Sequence, residues 1–419
     1  MERSERRYIT RVMDRELDAL MPSLPAIALE GARGVGKTAT ARQRSQTAYF
    51  LDNPDTASII AGDPELLLRG PAPILIDEWQ RFPYSWDLVR RAVDENGSAG
   101  TFLLTGSANR LDLPAHSGAG RIVRLHLRPM TISERGVAFP TVSLASLLKG
   151  NHPRIEGTTD VSLEAYVREI VASGLPGVRH LTDRGRRDAL DSYLAQIVDR
   201  EFLDQGHRVR NPVSLQRWMA AYAASVSTTA AYETIRDAAT GGRGEKPARS
   251  TVAPYIDILQ ALWVLEPIPA WLPSDNRMRR LALSPKHQLF DPAVAARMMN
   301  LDEAGLMASG RHLGPLFESL VSLSVRVYAQ AAEARVFHLR TREPSVREVD
   351  LIVEGHDGGV VGVEVKLAQA ATDHDVRHLN WLREQIGPRF RDGIIVTTGS
   401  HAYRRQDGIA VVPAALLGP

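Results

Sequence analysis

The spacing of hydrophobic residues changes along this chain. Near the N-terminus they come in short unbroken runs, Ala26-Ile27-Ala28-Leu29, Ile74-Leu75-Ile76 and Phe102-Leu103-Leu104. Such runs predict strands buried on both faces, as in a parallel sheet covered by helices. Pro71 and Pro73 bound the second run, and Ala39-Thr40-Ala41-Arg42-Gln43 after the first suits a helix. From Leu163 to Gln205 the spacing turns helical, with Tyr193, Leu194, Ile197 and Val198 on one stripe. Beyond Pro212 the pattern reads helix, helix, basic loop, helix. Ser250 is a plausible N-cap for the last of these, whose apolar face is Val252, Tyr255, Ile256, Leu259, Leu262 and Trp263. The extended stretch Val264-Leu265-Glu266-Pro267-Ile268 follows it.

Near the C-terminus a long apolar helix starts at Leu313-Gly314-Pro315-Leu316-Phe317-Glu318, and the period then drops to two. Val349, Leu351 and Val353 share one strand face, and Asp350 and Ile352 share the other. In the next strand Val363, Val365 and Leu367 oppose Glu364 and Lys366. His356-Asp357-Gly358-Gly359 joins the two as a hairpin. Gly393–Thr397 and Ile409–Pro413 supply later strands.

Composition narrows the classes. A chain of 419 residues implies two to three domains, and 44% hydrophobic with 24% charged residues is the balance of a globular protein. Cysteine is absent, which excludes disulfides, Cys-ligated zinc and a thiol nucleophile, and fits a cytoplasmic location. The charged start Met1–Arg7 is no signal peptide, and no apolar run suggests a membrane span. A net charge of +2 does not demand nucleic acid, while a pI near 8.9 permits it if the arginines cluster. Arginine is the default cation. The lysines are Lys37, Lys149, Lys246, Lys286 and Lys366; the first and last fall in candidate sites, and the others read as surface residues.

The first candidate site is the run Gly31-Ala32-Arg33-Gly34-Val35-Gly36-Lys37-Thr38, with Ala39 beside it. It lies between a strand and a helix, the context that gives a G-x-x-x-x-G-K-[ST] pattern its meaning. Glycines let backbone N–H groups turn onto a phosphate chain, and the helix N-terminus adds positive charge. Lys37 would reach the β- and γ-phosphates of ATP, and the Thr38 hydroxyl would ligate Mg²⁺. Asp77 and Glu78 end the next buried run, where doubly wound sheets bind ligands. Asp77 would hold Mg²⁺ and Glu78 would orient or deprotonate the attacking water. Ser107 and Asn109 are candidate γ-phosphate sensors, and Arg121 is a candidate charge-stabilising arginine, in cis or toward a neighbour.

A second constellation lies in the C-terminal hairpin. Antiparallel pairing would bring Asp350 beside Glu364 and Lys366, with Glu318 on the preceding helix. On one sheet face two carboxylates can ligate Mg²⁺ beside a phosphodiester while a lysine steadies the attacking water and the developing charge. His374, His378 and His401 read as surface residues or helix partners.

The strings Tyr49–Pro54, Ile76-Asp77-Glu78-Trp79-Gln80-Arg81-Phe82-Pro83, Leu104-Thr105-Gly106-Ser107, Ala119-Gly120-Arg121 and Leu127–Glu134 follow the phosphate loop in that order. This resembles a widespread group of prokaryotic AAA-type P-loop ATPases whose C-terminal domain has no settled function. The likeness runs through the whole chain, with Ser173-Gly174-Leu175-Pro176 in its expected place. The segment beyond Pro212 resembles a winged helix, with Arg243, Lys246 and Arg249 as candidate phosphate contacts. The hairpin looks like the D…ExK core of restriction-endonuclease-like proteins, in which Glu318, Asp350 and Glu364 would hold metal and Lys366 would assist catalysis. The expected architecture is therefore α/β: a doubly wound ATPase domain over 1–140, a helical lid or connector with a winged-helix-like part over 141–285, and an endonuclease-like domain over 286–419. The implied cofactors are ATP and Mg²⁺. The expected partner is DNA, not a membrane, and a homo-oligomer is admitted. An ATPase coupled to DNA binding and cleavage, a nucleotide-operated switch that binds DNA or protein without cutting, and a protein remodeller all remain open here.

Overall fold

The computed structural model describes residues 8–107, 119–240, 247–273, 283–341 and 346–419. The chain forms two compact units. The first comprises Met1–Pro129, Arg200–Arg208 and Asp257–Val264, and the second Met130–Asp199, Val209–Ile256 and Leu265–Pro419.

The first unit is built on a five-stranded parallel sheet. Its strands are β1 (Ala26–Glu30), β2 (Thr47–Phe50), β3 (Ile74–Asp77), β4 (Phe102–Gly106) and β5 (Ile122–His126), ordered β2-β3-β4-β1-β5. Every residue of β1, β3 and β4 is buried, as expected of unbroken apolar runs covered on both faces. The helices are α1 (Val12–Leu20), α2 (Lys37–Arg42), α3 (Pro54–Gly62) and α4 (Tyr84–Asn96). Ile74, Ile76 and Leu104 pack with Trp79 and Trp86, whose rings lie 4.7 Å apart. This core fixes the carboxyl ends of β1, β3 and β4, where the nucleotide motifs sit.

The second unit carries strands β6 (Val142–Ser143), β7 (Gly157–Thr158), β8 (Arg335–Thr341), β9 (Arg347–Glu354), β10 (Val360–Val365), β11 (Phe390–Thr397), β12 (His401–Arg404), β13 (Ala410–Pro413) and β14 (Leu417–Gly418). Seven of them form a mixed sheet, ordered β7-β12-β13-β11-β10-β9-β8. β9 and β10 form the expected hairpin, closed by Gly358 at φ 79° and an Asp357 side chain that accepts from Gly359 N–H at 2.9 Å. Every residue of β10 is buried, Glu364 included. The strand stops at Val365, and Leu367, expected in the core, is 37% exposed. Helix Asp373–Ile386 packs Val376, Leu379, Leu382 and Ile386 into a core with Val349, Ile352 and Ile395.

The middle of the chain is helical, with Leu163–Ala172, Asp183–Gln196, a π-turn at Ile197–Glu201, Pro212–Ala224, Tyr232–Ala238 and Arg249–Ala261. Ser173, at φ 67°, ends the first of these, so the helical stretch is interrupted at Ser173–Pro176. In Arg249–Ala261 the buried positions are Val252, Tyr255, Ile258 and Leu259; Ile256, expected on that face, is only partly buried. Trp263 leaves the helix at φ 61° and begins the turn into the extended stretch. That stretch pairs antiparallel with a later one, Leu265 with Leu289 and Ile268 with Lys286, while Ala270 bridges His338 of β8. Together with β7 at the edge of the large sheet, these bridges put most of 141–285 into the same unit as 286–419. Arg243 and Lys246 lie outside the described residues.

Candidate functional site

The loop after β1 turns because its glycines adopt backbone angles that side chains resist. Gly31 sits at φ 146°, and a Cβ there would lie 2.2 Å from the Leu127 carbonyl oxygen. Gly36 caps α2 at φ 105°. Lys37 is the first residue of α2 and is buried. Its ammonium donates to the carbonyls of Gly31 at 2.8 Å and Ala32 at 2.9 Å, so the side chain curls back over its own loop. Burial lowers its pKa to about 8, against the partial opposition of Glu78 and Asp77.

The carboxylates sit where strand geometry expects them. Thr38 Oγ1 donates to Asp77 Oδ1 at 2.8 Å, and the Thr105 hydroxyl at the end of β4 donates to the same oxygen. Burial raises the Asp77 pKa, and the two threonine hydroxyls work against that shift. Glu78 adopts left-handed φ 55°, which turns its side chain out of the strand line. Ser107 Oγ donates to Glu78 Oε1 at 2.9 Å, and Gln80 Nε2 donates to Oε2 at 2.5 Å. Both oxygens of Glu78 are thereby oriented.

Thr38, Asp77, Glu78, Gln80 and Ser107 line a cleft of about 630 Å³ with Arg33, Asp52, Arg81, Arg200, Glu201, Leu203, Asp204 and Gln205. Arg33 Nη1 pairs with Glu201 Oε1 at 2.8 Å. Sequence reading missed the Arg200–Gln205 side of the cleft. The signal was thin: a short amphipathic stripe with no motif, distant in sequence from the phosphate loop. Thr105 was also missed, although it lies in the Leu104-Thr105-Gly106-Ser107 string.

Arg121 is not brought to this cleft. It precedes β5, whose first residue pairs with Ala26 at the amino end of β1, while the phosphate loop leaves the carboxyl end. A strand of five residues separates the two ends, roughly 17 Å. Arg121 Nε bonds Asp94 Oδ1 of α4 at 2.7 Å, on the surface. A parallel strand order puts the residue before a strand opposite the ligand side. Asn109 lies outside the described residues.

The C-terminal constellation assembles, with an addition. The hairpin register runs to Leu351 opposite Val363, so Asp350 and Glu364 are the next pair. Lys366 Nζ donates to Glu364 Oε2 at 2.8 Å, and Asp350 Oδ2 accepts from Val365 N–H at 3.0 Å. Lys286, expected at the surface, is fully buried here. Its ammonium bonds Glu318 Oε1 at 2.8 Å, Asp350 Oδ1 at 3.1 Å and the Asp350 carbonyl at 3.3 Å. Burial alone would lower the Lys286 pKa, but Asp350 and Glu318 outweigh it and raise it. The Asp350 pKa falls against its own burial because of Lys286 and Lys366. Burial lifts Glu318 to about 8, and burial with Asp350 nearby lifts Glu364 far above the usual carboxylate range.

Glu318, Asp350 and Glu364 were expected to hold a metal. An ammonium lies between the first two instead, and among the described residues no group of three His, Cys, Asp or Glu side chains has the geometry of a metal site. The residues as folded do not fit Mg²⁺. Nearby, His378 Nδ1 sits 2.6 Å from the Glu348 carbonyl, His374 contacts Arg377, and His401 contacts Ser400. Among the described residues no helix is long and apolar enough to cross a membrane.

Comparison with known proteins divides along the same lines. Residues 23–135 match the family model described as an AAA domain. Residues 163–305 and 313–417 match models described as domains of unknown function, DUF8612 and DUF4143. Two proteins described as uncharacterized, Rv2008c of Mycobacterium tuberculosis and Mb2031c of Mycobacterium bovis, are each 25% identical over 402 residues, covering 93% of this chain and 80% of theirs. Among solved structures, the Walker-type ATPase PABY2304 of Pyrococcus abyssi aligns at 14% identity and TM-score 0.39, covering 70% of this chain and 96% of that one. The segment that bears the phosphate loop is thus a P-loop ATPase domain of AAA type.

Proposed function

We propose that this protein is a Mg²⁺-dependent ATPase whose nucleotide state governs how the rest of the chain engages DNA. The observation that carries the first half is the convergence of Thr38, Asp77 and Glu78 on one cleft, beside the glycine loop over which Lys37 is folded. Among the described residues the Lys37 ammonium is held by carbonyls of its own loop, contacts that a triphosphate replaces with stronger ones. Thr38 and Asp77 present hard oxygen donors within 2.8 Å of each other, the donor set that suits Mg²⁺. When bound, that ion neutralises charge on the β- and γ-phosphate oxygens. Glu78 aligns the attacking water, and Ser107 and Gln80 hold its carboxylate in the required orientation. Arg33, Arg81 and Arg200 supply positive charge along the cleft for the phosphates.

The coupling half rests on chain continuity. Arg200–Arg208 belongs to the first unit and is joined in sequence to the second at both ends. Nucleotide contacts on Arg200 and Gln205 therefore pull on two connections into the second unit. The DNA half is supported by three helices followed by an antiparallel pair of extended segments. That is the order of elements in a winged helix, whose last helix enters the major groove.

Steady-state ATP hydrolysis with and without duplex DNA tests both halves. Hydrolysis that needs Mg²⁺ and rises on adding DNA supports the proposal. Mg²⁺-dependent hydrolysis indifferent to DNA, together with no salt-sensitive DNA binding, removes the DNA half and leaves the ATPase.

A further inference from the structure

We propose that Lys286 is a built-in cation that takes the place of a divalent metal among Glu318, Asp350 and Glu364, so that this carboxylate cluster binds no metal ion in the folded protein. Its ammonium contacts one oxygen of Glu318 and one of Asp350 from a wholly buried position. Backbone bonds lock the residue in place. Lys286 N–H donates to the Ile268 carbonyl at 2.9 Å, and Ile268 N–H donates back at 2.8 Å. The ammonium therefore approaches from a backbone-paired extended segment.

Charge makes the same point. A buried carboxylate pair without a counter-cation is strongly unfavourable, and a divalent ion or an ammonium can meet that demand. Both carboxylate oxygens of Asp350 are engaged, with Lys286 on Oδ1 and the Val365 N–H on Oδ2. Glu364 is engaged on one oxygen by Lys366, and its other oxygen, Oε1, is buried without a hydrogen-bond partner. That open oxygen marks the edge of a cation site whose other ligands Lys286 has taken. Replacing the ammonium with a methyl group frees oxygens on Glu318 and Asp350 beside it, which are hard donors suited to Mg²⁺ or Mn²⁺. The frame resembles a phosphodiester-cleaving one, yet with Lys286 in place it holds no metal to activate water.

Mn²⁺ binding, read by electron paramagnetic resonance, tests this in full-length protein. All samples carry Asp77→Asn to weaken the ATP-site ion. The chain that keeps Lys286 is expected to show no Mn²⁺ that depends on Glu318. Lys286→Ala is expected to bind about one Mn²⁺ per chain, lost again in Lys286→Ala with Glu364→Gln. If the alanine variant folds only with Mn²⁺ present, the proposal gains support; if it stays unfolded with Mn²⁺, the ion has not replaced the ammonium and the proposal fails. It is also overturned if the Lys286 chain binds Mn²⁺ that Glu318→Gln removes, or if folded Lys286→Ala binds none.

Discussion

Lys37 and Lys286 are both buried, and both have carboxylates in their surroundings, yet they do opposite things. Among the described residues Lys37 donates to the neutral carbonyls of its own glycine loop, whose Arg33 and Thr38 line an open cleft. Its charge is under-compensated, and burial lowers its pKa to about 8. Lys286 donates directly to Glu318 and Asp350, and their attraction raises its pKa. A lysine that lacks a bonded anion is prepared for one from solution. A lysine already paired holds the protein together. The residue type is the same, and the partner decides the role.

The comparison can be broken most forcefully at Lys286. Lys286→Ala leaves two buried carboxylates without their cation and should cost about 3–5 kcal/mol in chelator-treated protein, measured by denaturant unfolding. A loss near zero would mean that the ammonium is not engaged as described. At Lys37 the effect falls on chemistry instead. Lys37→Ala should slow ATP hydrolysis by roughly a hundred- to a thousandfold while circular dichroism and melting stay close to the parent's. A variant that melts early and hydrolyses normally would reverse the two roles.

A smaller effect separates the lysines by pH. The Lys37 pKa of about 8 in the folded protein lies below its ordinary 10.5, so between those values the folded chain holds fewer protons than the unfolded one. This group's contribution to stability therefore rises with pH across that window. Nucleotide affinity moves the other way, because the phosphates need the ammonium form. ATP binding should take up a proton above pH 8 and weaken by at most about tenfold per pH unit, read by calorimetry in buffers of different ionisation heat. Affinity flat from pH 7 to 9.5 would discount the lowered pKa. The smallest change is expected at Arg121, whose exposed pair with Asp94 is the kind that contributes little. Arg121→Ala should leave the ATP turnover number within about twofold, and a loss of a hundredfold would restore it to the catalytic machinery.

The nucleotide end was legible because its information is local. Glycine spacing, one lysine and one threonine fall within a single loop, and Asp77 and Glu78 end a run whose burial is evident from its composition. The hairpin was legible for the same reason, since period two and a glycine turn fix its register and bring Asp350 to Glu364. Arg121 does not reach its own chain's cleft, and this was not legible because a residue's end of the sheet follows from strand direction, which the residue itself does not declare. Lys286 was read as surface because Ser284-Pro285-Lys286-His287 contains nothing apolar to suggest burial. Its partners lie 32 and 64 residues away.

The sequence alone determined the phosphate loop, the parallel strands that carry it, the acidic strand end and the charged hairpin, because each depends on residues close enough in the chain to constrain one another's backbone. Only the tertiary structure decided which end of the sheet Arg121 occupies, that Arg200–Gln205 lines the cleft, and that Lys286 neutralises Glu318 and Asp350. Desolvation and charge pairing are set by atoms that meet in space, and separation along the chain carries no record of them.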